Sequence, residues 1–122
     1  MKATISKFDD VVVVNLSGRI NMEYTEVFRE ACLKEFPKRS NKLIFNLNDL
    51  SFVGSNGIML FVNALRDLAV SQKAEMRFCE VSSEFKKIFA ASPLSHIQIF
   101  ENQDVAIASL RNLDFIESQK ID

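Results

Sequence analysis

The stretch Lys42–Leu68, KLIFNLNDLSFVGSNGIMLFVNALRDL, decides how the rest of the chain is read. Leu43–Leu47 (LIFNL) is a short apolar run with the length of a buried strand. Asn48-Asp49-Leu50-Ser51 is rich in turn formers. An elbow of mostly small residues follows, Val53-Gly54-Ser55-Asn56-Gly57, and it holds two of the chain's three glycines. Beyond it, Ile58, Phe61, Val62, Leu65, Leu68 and Ala69 recur at helical spacing, with Asn63, Arg66, Asp67 and Gln72 mostly on the other side. Met59, Phe61 and Val62 are assigned to packing. Ser55 therefore stands where a helix begins. A hydroxyl there can cap the first turn, typically worth ~1 kcal/mol. A helix start also accommodates an anion, so the same serine can be a phosphoacceptor.

Working outward, Ala3–Phe8 (ATISKF) and Val11–Leu16 (VVVVNL) read as strands. Only Asp9-Asp10 separates them, so they form an antiparallel hairpin. Ser17-Gly18 is expected to break the second strand, and Arg19-Ile20-Asn21 to continue as a loop. Tyr24, Val27, Phe28, Ala31, Cys32 and Phe36 predict a helix over Tyr24–Phe36, stopped by Pro37. Downstream the expected elements are a strand at Met76–Cys79, a helix at Ser82–Ala91 with Phe85, Ile88 and Phe89 inward, a strand at His96–Phe100, and a helix from Gln103 to about Glu117. In that last helix Val105, Ile107, Ala108 and Leu110–Leu113 are available for packing. The order ββαβαβαβα predicts an α/β fold: a mixed β-sheet with an antiparallel edge hairpin, packed with about four helices. The loops after the second and third strands leave the same end of the sheet, the end where open α/β sheets bind ligands and partners.

The 122 residues are 48% hydrophobic and 25% charged, which suits one core. A single domain over 1–117 is expected, with 118–122 as a frayed tail. Net charge is −1 and the pI near 5.9, so no basic excess exists to neutralise nucleic acid. Neither a signal peptide nor an apolar run long enough to span a membrane is present. Cys32 and Cys79 have no metal or redox spacing and read as small buried hydrophobes. A reduced, cytoplasmic protein without metal or cofactor fits this composition. The chain has eleven Phe and no Trp; most Phe belong to the core, while Phe52, Phe61 and Phe115 could also serve an interface. His96 is alone and is not expected to bind metal. An enzyme is not expected: Val53 stands where a Gly-x-Ser-x-Gly nucleophile elbow needs glycine, no general base is identified, and no Gly-Lys-Ser/Thr marks a phosphate loop.

Two of the turns resemble those of the STAS domain, the fold of bacterial anti-sigma factor antagonists. The loop Gly18-Arg19-Ile20-Asn21 is similar to the family's Gly-x-Leu/Ile-Asp. The elbow Gly54-Ser55-Asn56-Gly57-Ile58-Met59 is similar to its Asp-Ser-Ser/Thr-Gly-Leu-Gly. The resemblance covers about Met1–Leu110 in element order and is specific over these two stretches. It implies that Ser55 is a phosphoacceptor, and that Arg19, Asn21, Gly54, Ser55, Asn56 and Gly57 shape a partner-binding surface. This chain departs from the pattern at Gly54, Asn56 and Asn21, which replace an acid, a hydroxyl and an acid, and at Met59, which replaces a glycine.

The function implied is a regulatory module in transcription control that switches partners by serine phosphorylation. Its implied partners are an anti-sigma factor with serine kinase activity, of the histidine-kinase-like ATPase type, and a phosphatase. The missing acids favour an alternative: a STAS interaction or scaffold subunit, in a signalling complex or a lipid-transport assembly, without phosphoregulation.

Overall fold

Val11, Val12, Val13 and Val14 are all buried, and they alternate between two apolar clusters. Successive side chains on a strand point to opposite faces, so this run demands a covered sheet on both sides. The computed structural model, which describes residues 2–20, 22–35, 42–52, 56–72, 75–92 and 98–118, has that arrangement. The elements are β1 (Lys2–Phe8), β2 (Val11–Ile20), α1 (Met22–Glu35), β3 (Lys42–Phe52), α2 (Asn56–Gln72), β4 (Glu75–Cys79), α3 (Ser83–Ala90), β5 (Gln98–Phe100) and α4 (Gln103–Ser118). The strands form one sheet in the order β1-β2-β3-β4-β5. β1 pairs with β2 antiparallel from Lys2↔Ser17 to Phe8↔Val11, and the other neighbours are parallel. The element order, mixed sheet and edge hairpin expected from the sequence are all present.

The larger cluster joins Val12, Val14, Leu43, Phe45 and Phe78 of the sheet to Phe28 of α1, Phe61 and Leu65 of α2, and Phe85 and Phe89 of α3. Its rings form a continuous series: Phe45 to Phe78 at 5.4 Å, Phe78 to Phe89 at 5.1 Å and Phe85 to Phe89 at 6.0 Å between centroids. Phe28 and Phe61, 6.0 Å apart, join α1 to α2. The smaller cluster sets Val11, Val13, Ile44 and Cys79 against Ala106, Ile107 and Leu110 of α4. Three helices thus cover one face and α4 the other. Ser82 is the N-cap of α3, its Oγ accepting the Phe85 N–H at 3.3 Å.

Several expectations are corrected. β2 does not break at Ser17-Gly18; it runs on to Ile20, paired with β3. β3 does not end at Leu47; Asn48–Ser51 is strand, and pairing reaches Phe52. A parallel neighbour supplies ladder bonds to both segments, which outweighs their local turn chemistry. On α1, Val27 is 61% exposed and Thr25 is buried, because the face meeting α2 is centred on Thr25 and Phe28. Phe61 is fully buried and so presents nothing to an interface, whereas Met59, expected in the core, is 47% exposed. Val105 is exposed and Ala106 packs in its place on α4. The side chains of Cys32, Phe52 and Phe115 and the whole of His96 lie outside the described residues.

Candidate functional site

The site begins where β2 and β3 stop. Ile20 and Phe52 are the last register pair of the two parallel strands. The chain therefore leaves the sheet at two adjacent points, one leading toward residue 21 and the other toward residues 53–55. Parallel neighbours in a sheet lie ~4.8 Å apart, so these two departures start almost in contact. Of the residues singled out by sequence, Arg19 is described: it is exposed, in the last turn of pairing, opposite Ser51. Asn21, Gly54 and Ser55 lie outside the described residues. Asn56 and Gly57 open α2, and their side chains lie outside the described set.

Gly18 has φ 91°, a left-handed backbone that an ordinary residue adopts only at a cost. This glycine sits inside the paired strand rather than after it, and its carbonyl accepts the Ser51 hydroxyl at 3.3 Å. The bend it introduces lets β2 keep pairing up to Ile20 while the strands twist.

The opposite partner carries an irregularity. Between Asn15↔Asn46 and Ser17↔Asp49, β3 has one residue more than β2. That is a β-bulge, a device found beside functional sites because it re-aims a strand. Leu43, Phe45 and Leu47 share the large cluster, and after the extra residue Leu50 joins the same cluster out of phase. Exposed Asn48 and Asp49 lie between the two segments. The bulge is fixed by Asn46, which is buried. Its Oδ1 accepts the Asn48 N–H at 3.0 Å. Its Nδ2 donates to Glu80 Oε2 at 2.6 Å and to Gln103 Oε1 at 3.0 Å. Glu80 follows β4 with φ 54°, and its N–H donates to the Phe100 carbonyl at 3.2 Å. One asparagine thereby ties β3 to the end of β4 and the start of α4. Asn46, Glu80 and Gln103 belong to no motif and were not among the site residues expected from sequence. The available signal was a polar residue in the middle of LIFNL, a run otherwise apolar.

α2 is anchored on the sheet by Ile58, Phe61, Val62 and Leu65, all buried. This burial aims its N-terminal end at the elbow. No acidic residue occupies its first turn, so the helix itself brings no carboxylate to the positive end of its dipole. The outward side of α2 presents Met59 and Leu60. Leu60 borders a groove of about 190 Å³ against α1, whose rim carries Arg29, 3.2 Å from Glu26 and 3.6 Å from Asp67.

Nucleophilic chemistry finds no support in Cys79: burial first, and the Glu80 charge second, push its thiol up to about 12, so the reactive thiolate is scarce at neutral pH. Among the described residues no three metal-ligating side chains gather, and no helix is long and apolar enough to cross a membrane. Among the described residues, what this end of the sheet offers is a surface: two adjacent chain departures, an exposed arginine and a helix with no acidic residue in its first turn.

Comparison with known proteins points the same way. The family model described as STAS domain matches residues 2–106. A protein of Bordetella bronchiseptica, BtrV, assigned as a candidate anti-sigma factor antagonist, is 22% identical over 112 residues, covering 91% of this chain and 96% of its own. Among solved structures, a candidate anti-sigma factor antagonist from Thermotoga maritima superposes with a TM-score of 0.73 at 21% identity, over 89% of this chain and 94% of that one. The Bacillus cell fate determinant SpoIIAA in its phosphorylated form superposes with a TM-score of 0.66 at 21% identity, over 89% of this chain and 99% of that one. At these identities the structural likeness shows the fold.

Proposed function

We propose, on the premise that this chain belongs to the STAS domain family, that it is an anti-sigma factor antagonist whose docking surface is switched by phosphorylation of Ser55. Unphosphorylated, it binds an anti-sigma factor that is also a serine kinase. That kinase transfers the γ-phosphoryl group of ATP to the Ser55 hydroxyl: the new bond joins Oγ to phosphorus, the β–γ bridge breaks, the hydroxyl proton leaves to the kinase, and ADP is released. A phosphatase restores the hydroxyl with water.

The observation that carries this reading is the terminal pairing of Ile20 with Phe52. It sets Ile20, in the first motif, beside the residue from which the chain runs to the second, and from there α2 begins after three residues. The first turn of α2, free of acidic residues, favours an anion. A phosphoserine adds −1.5 to −2 charges at neutral pH. The domain tolerates that charge, but a partner seated over it meets a phosphate it cannot pair. A penalty of ~3 kcal/mol weakens binding about 100-fold, enough for release without refolding. Arg19, Asn21, Gly54, Asn56 and Gly57 shape the surface around the switch. SpoIIAA, which shares the fold, has been solved phosphorylated, which supports the compatibility of such a group with this architecture. Asn21, Gly54 and Asn56, which depart from the family pattern, favour a second reading, a constitutive interaction subunit.

A pull-down from native extract separates the two, with wild type, Ser55→Ala and Ser55→Asp as baits and phosphopeptide mapping of the recovered protein. The switch predicts a kinase-like partner on wild type and Ser55→Ala, its loss from Ser55→Asp, and phosphate on Ser55. The same partner on all three baits, with Ser55 never phosphorylated, leaves the constitutive reading.

A further inference from the structure

The two edges of the sheet differ. β5 at one edge is three residues long, whereas β1 at the other has seven, all exposed. β1 pairs with β2 without a bulge along its whole length. Its outer row of N–H and C=O groups faces away from the sheet, ready to pair with another strand. Ile5 at its centre is 40% exposed and Phe8 at its end 38%. A long edge without a bulge that carries exposed apolar side chains is unusual, because sheet proteins normally blunt such edges.

We infer that β1 is a self-association edge, pairing antiparallel with β1 of a second copy about a two-fold axis at Ile5. Symmetry selects this register. A two-fold axis normal to the sheet requires directly opposed residues to share a face, so the two residue numbers of every pair add to an even sum. Pairing all seven residues then places Ile5 opposite Ile5. Lys2 falls opposite Phe8, Ala3 opposite Lys7, and Thr4 opposite Ser6.

The charges agree with this register. Lysines on an edge usually act as guards, but here neither lysine meets the other. Like charges directly opposed would destabilise the pair. Instead the Lys2 stem lies on Phe8, and its ammonium arrives next to Asp9, which is exposed beyond its contact with Arg111. On the face shared with α1 and α2 the two Ile5 side chains cover one another. The assembly closes at two copies, since pairing consumes the edge in each and leaves no head-to-tail propagation.

The size of the contact sets its strength. Seven residues at ~3.4 Å each make a seam about 24 Å long, and with a sheet roughly 10 Å thick about 500 Å² is buried in total. Lasting interfaces bury more than about 1,000 Å². The dimer is therefore weak and concentration-dependent.

Two measurements on the full chain test it. Sedimentation equilibrium should show the average mass of wild type rising with concentration from 13.9 kDa toward twice that value. Ile5→Lys, which opposes two ammonium groups at the axis, should stay at the monomer mass. In the second measurement, Ile5→Cys under mild oxidation should cross-link at least about tenfold faster than Thr4→Cys, since opposed residues lie within disulfide reach and diagonal ones do not. Wild type with its native Cys32 and Cys79 is the background. A wild type that stays monomeric at millimolar concentration, a dimer insensitive to Ile5→Lys, or equal cross-linking at positions 4 and 5 would each overturn the inference. The cross-linking arm stands even if Ile5→Lys folds poorly.

Discussion

Replacing Asn46 by alanine removes three hydrogen bonds at once: one accepted from the Asn48 N–H and two donated, to Glu80 and Gln103. A neutral hydrogen bond contributes ~1 kcal/mol net and one to a carboxylate ~2 kcal/mol, a gross loss of about 4 kcal/mol. Asn48 is exposed and Glu80 and Gln103 are only partly buried, so water recovers some of this. The expected net loss is about 2–3 kcal/mol, or roughly 6–15 °C in Tm for a domain of this size. Urea denaturation at pH 7 followed by circular dichroism reads it directly, as a lower midpoint at unchanged slope. Hydrogen exchange should quicken at the Asn48 amide and along the second half of β3, and less at Val12–Val14. Asn46→Asp sharpens the test. It keeps an acceptor for Asn48 but sets a carboxylate against Glu80. It should be worse than alanine at pH 7, where two like charges are held together. A change below about 0.5 kcal/mol for Asn46→Ala, the range of ordinary surface substitutions, would refute the idea that this asparagine fixes the bulge.

The two neighbours on α2 should behave oppositely. Phe61→Ala should lose ~3–5 kcal/mol by opening a cavity under α1, while Met59→Ala should stay within about 0.5 kcal/mol; similar denaturation midpoints for both would contradict their burial. Asp10, 2.7 Å from the buried Lys42 ammonium, is held below the ordinary carboxylate value of 3.8 chiefly by that hydrogen bond. Its stabilisation is present above that value and lost as pH falls through the lower folded one. Because Asp10 is largely exposed, the effect should be under ~1 kcal/mol. Midpoint-versus-pH curves for wild type and Asp10→Asn should converge in acid, and parallel curves would exclude the contribution. Cys79, with its thiol pushed up to about 12, should resist iodoacetamide at pH 8 in the native protein and react fully in urea. Peptide mass spectrometry checks this, and labelling of the folded protein would contradict its burial.

The element order was legible because each strand or helix carries its own period. Val11–Val14 and the Ile58–Leu65 stripe announce a doubly covered strand and an amphipathic helix without tertiary information. The strand ends were not legible. Ser17-Gly18 and Asn48-Asp49 have turn chemistry, and what keeps them extended is a partner strand distant in sequence. On α1 the apolar spacing pointed to Val27, but the helix meets α2 through Thr25 and Phe28, and only the neighbouring helix decides that. The position of the site at the ends of β2 and β3 could be read from the two glycine-bearing motifs. Its support could not: Asn46 gains its role from Glu80 and Gln103, residues that no local pattern links to it.

The extra residue in β3 sets how the strand bends and not what lies beyond it. Leu50 lies on the face of Leu47 with one residue between them out of step with β2. Deleting Asn48 would restore the alternation with Leu50 still on the face of Leu47 and Phe52 still opposite Ile20; what it would remove is the local bend of the bulge and the N–H that Asn46 Oδ1 accepts. Substitution at this exposed position keeps the count. Across related sequences, position 48 should therefore vary freely in identity, and a relative that lacks it should keep Leu50 in the core and the elbow at the end of β2 while its third strand runs straighter.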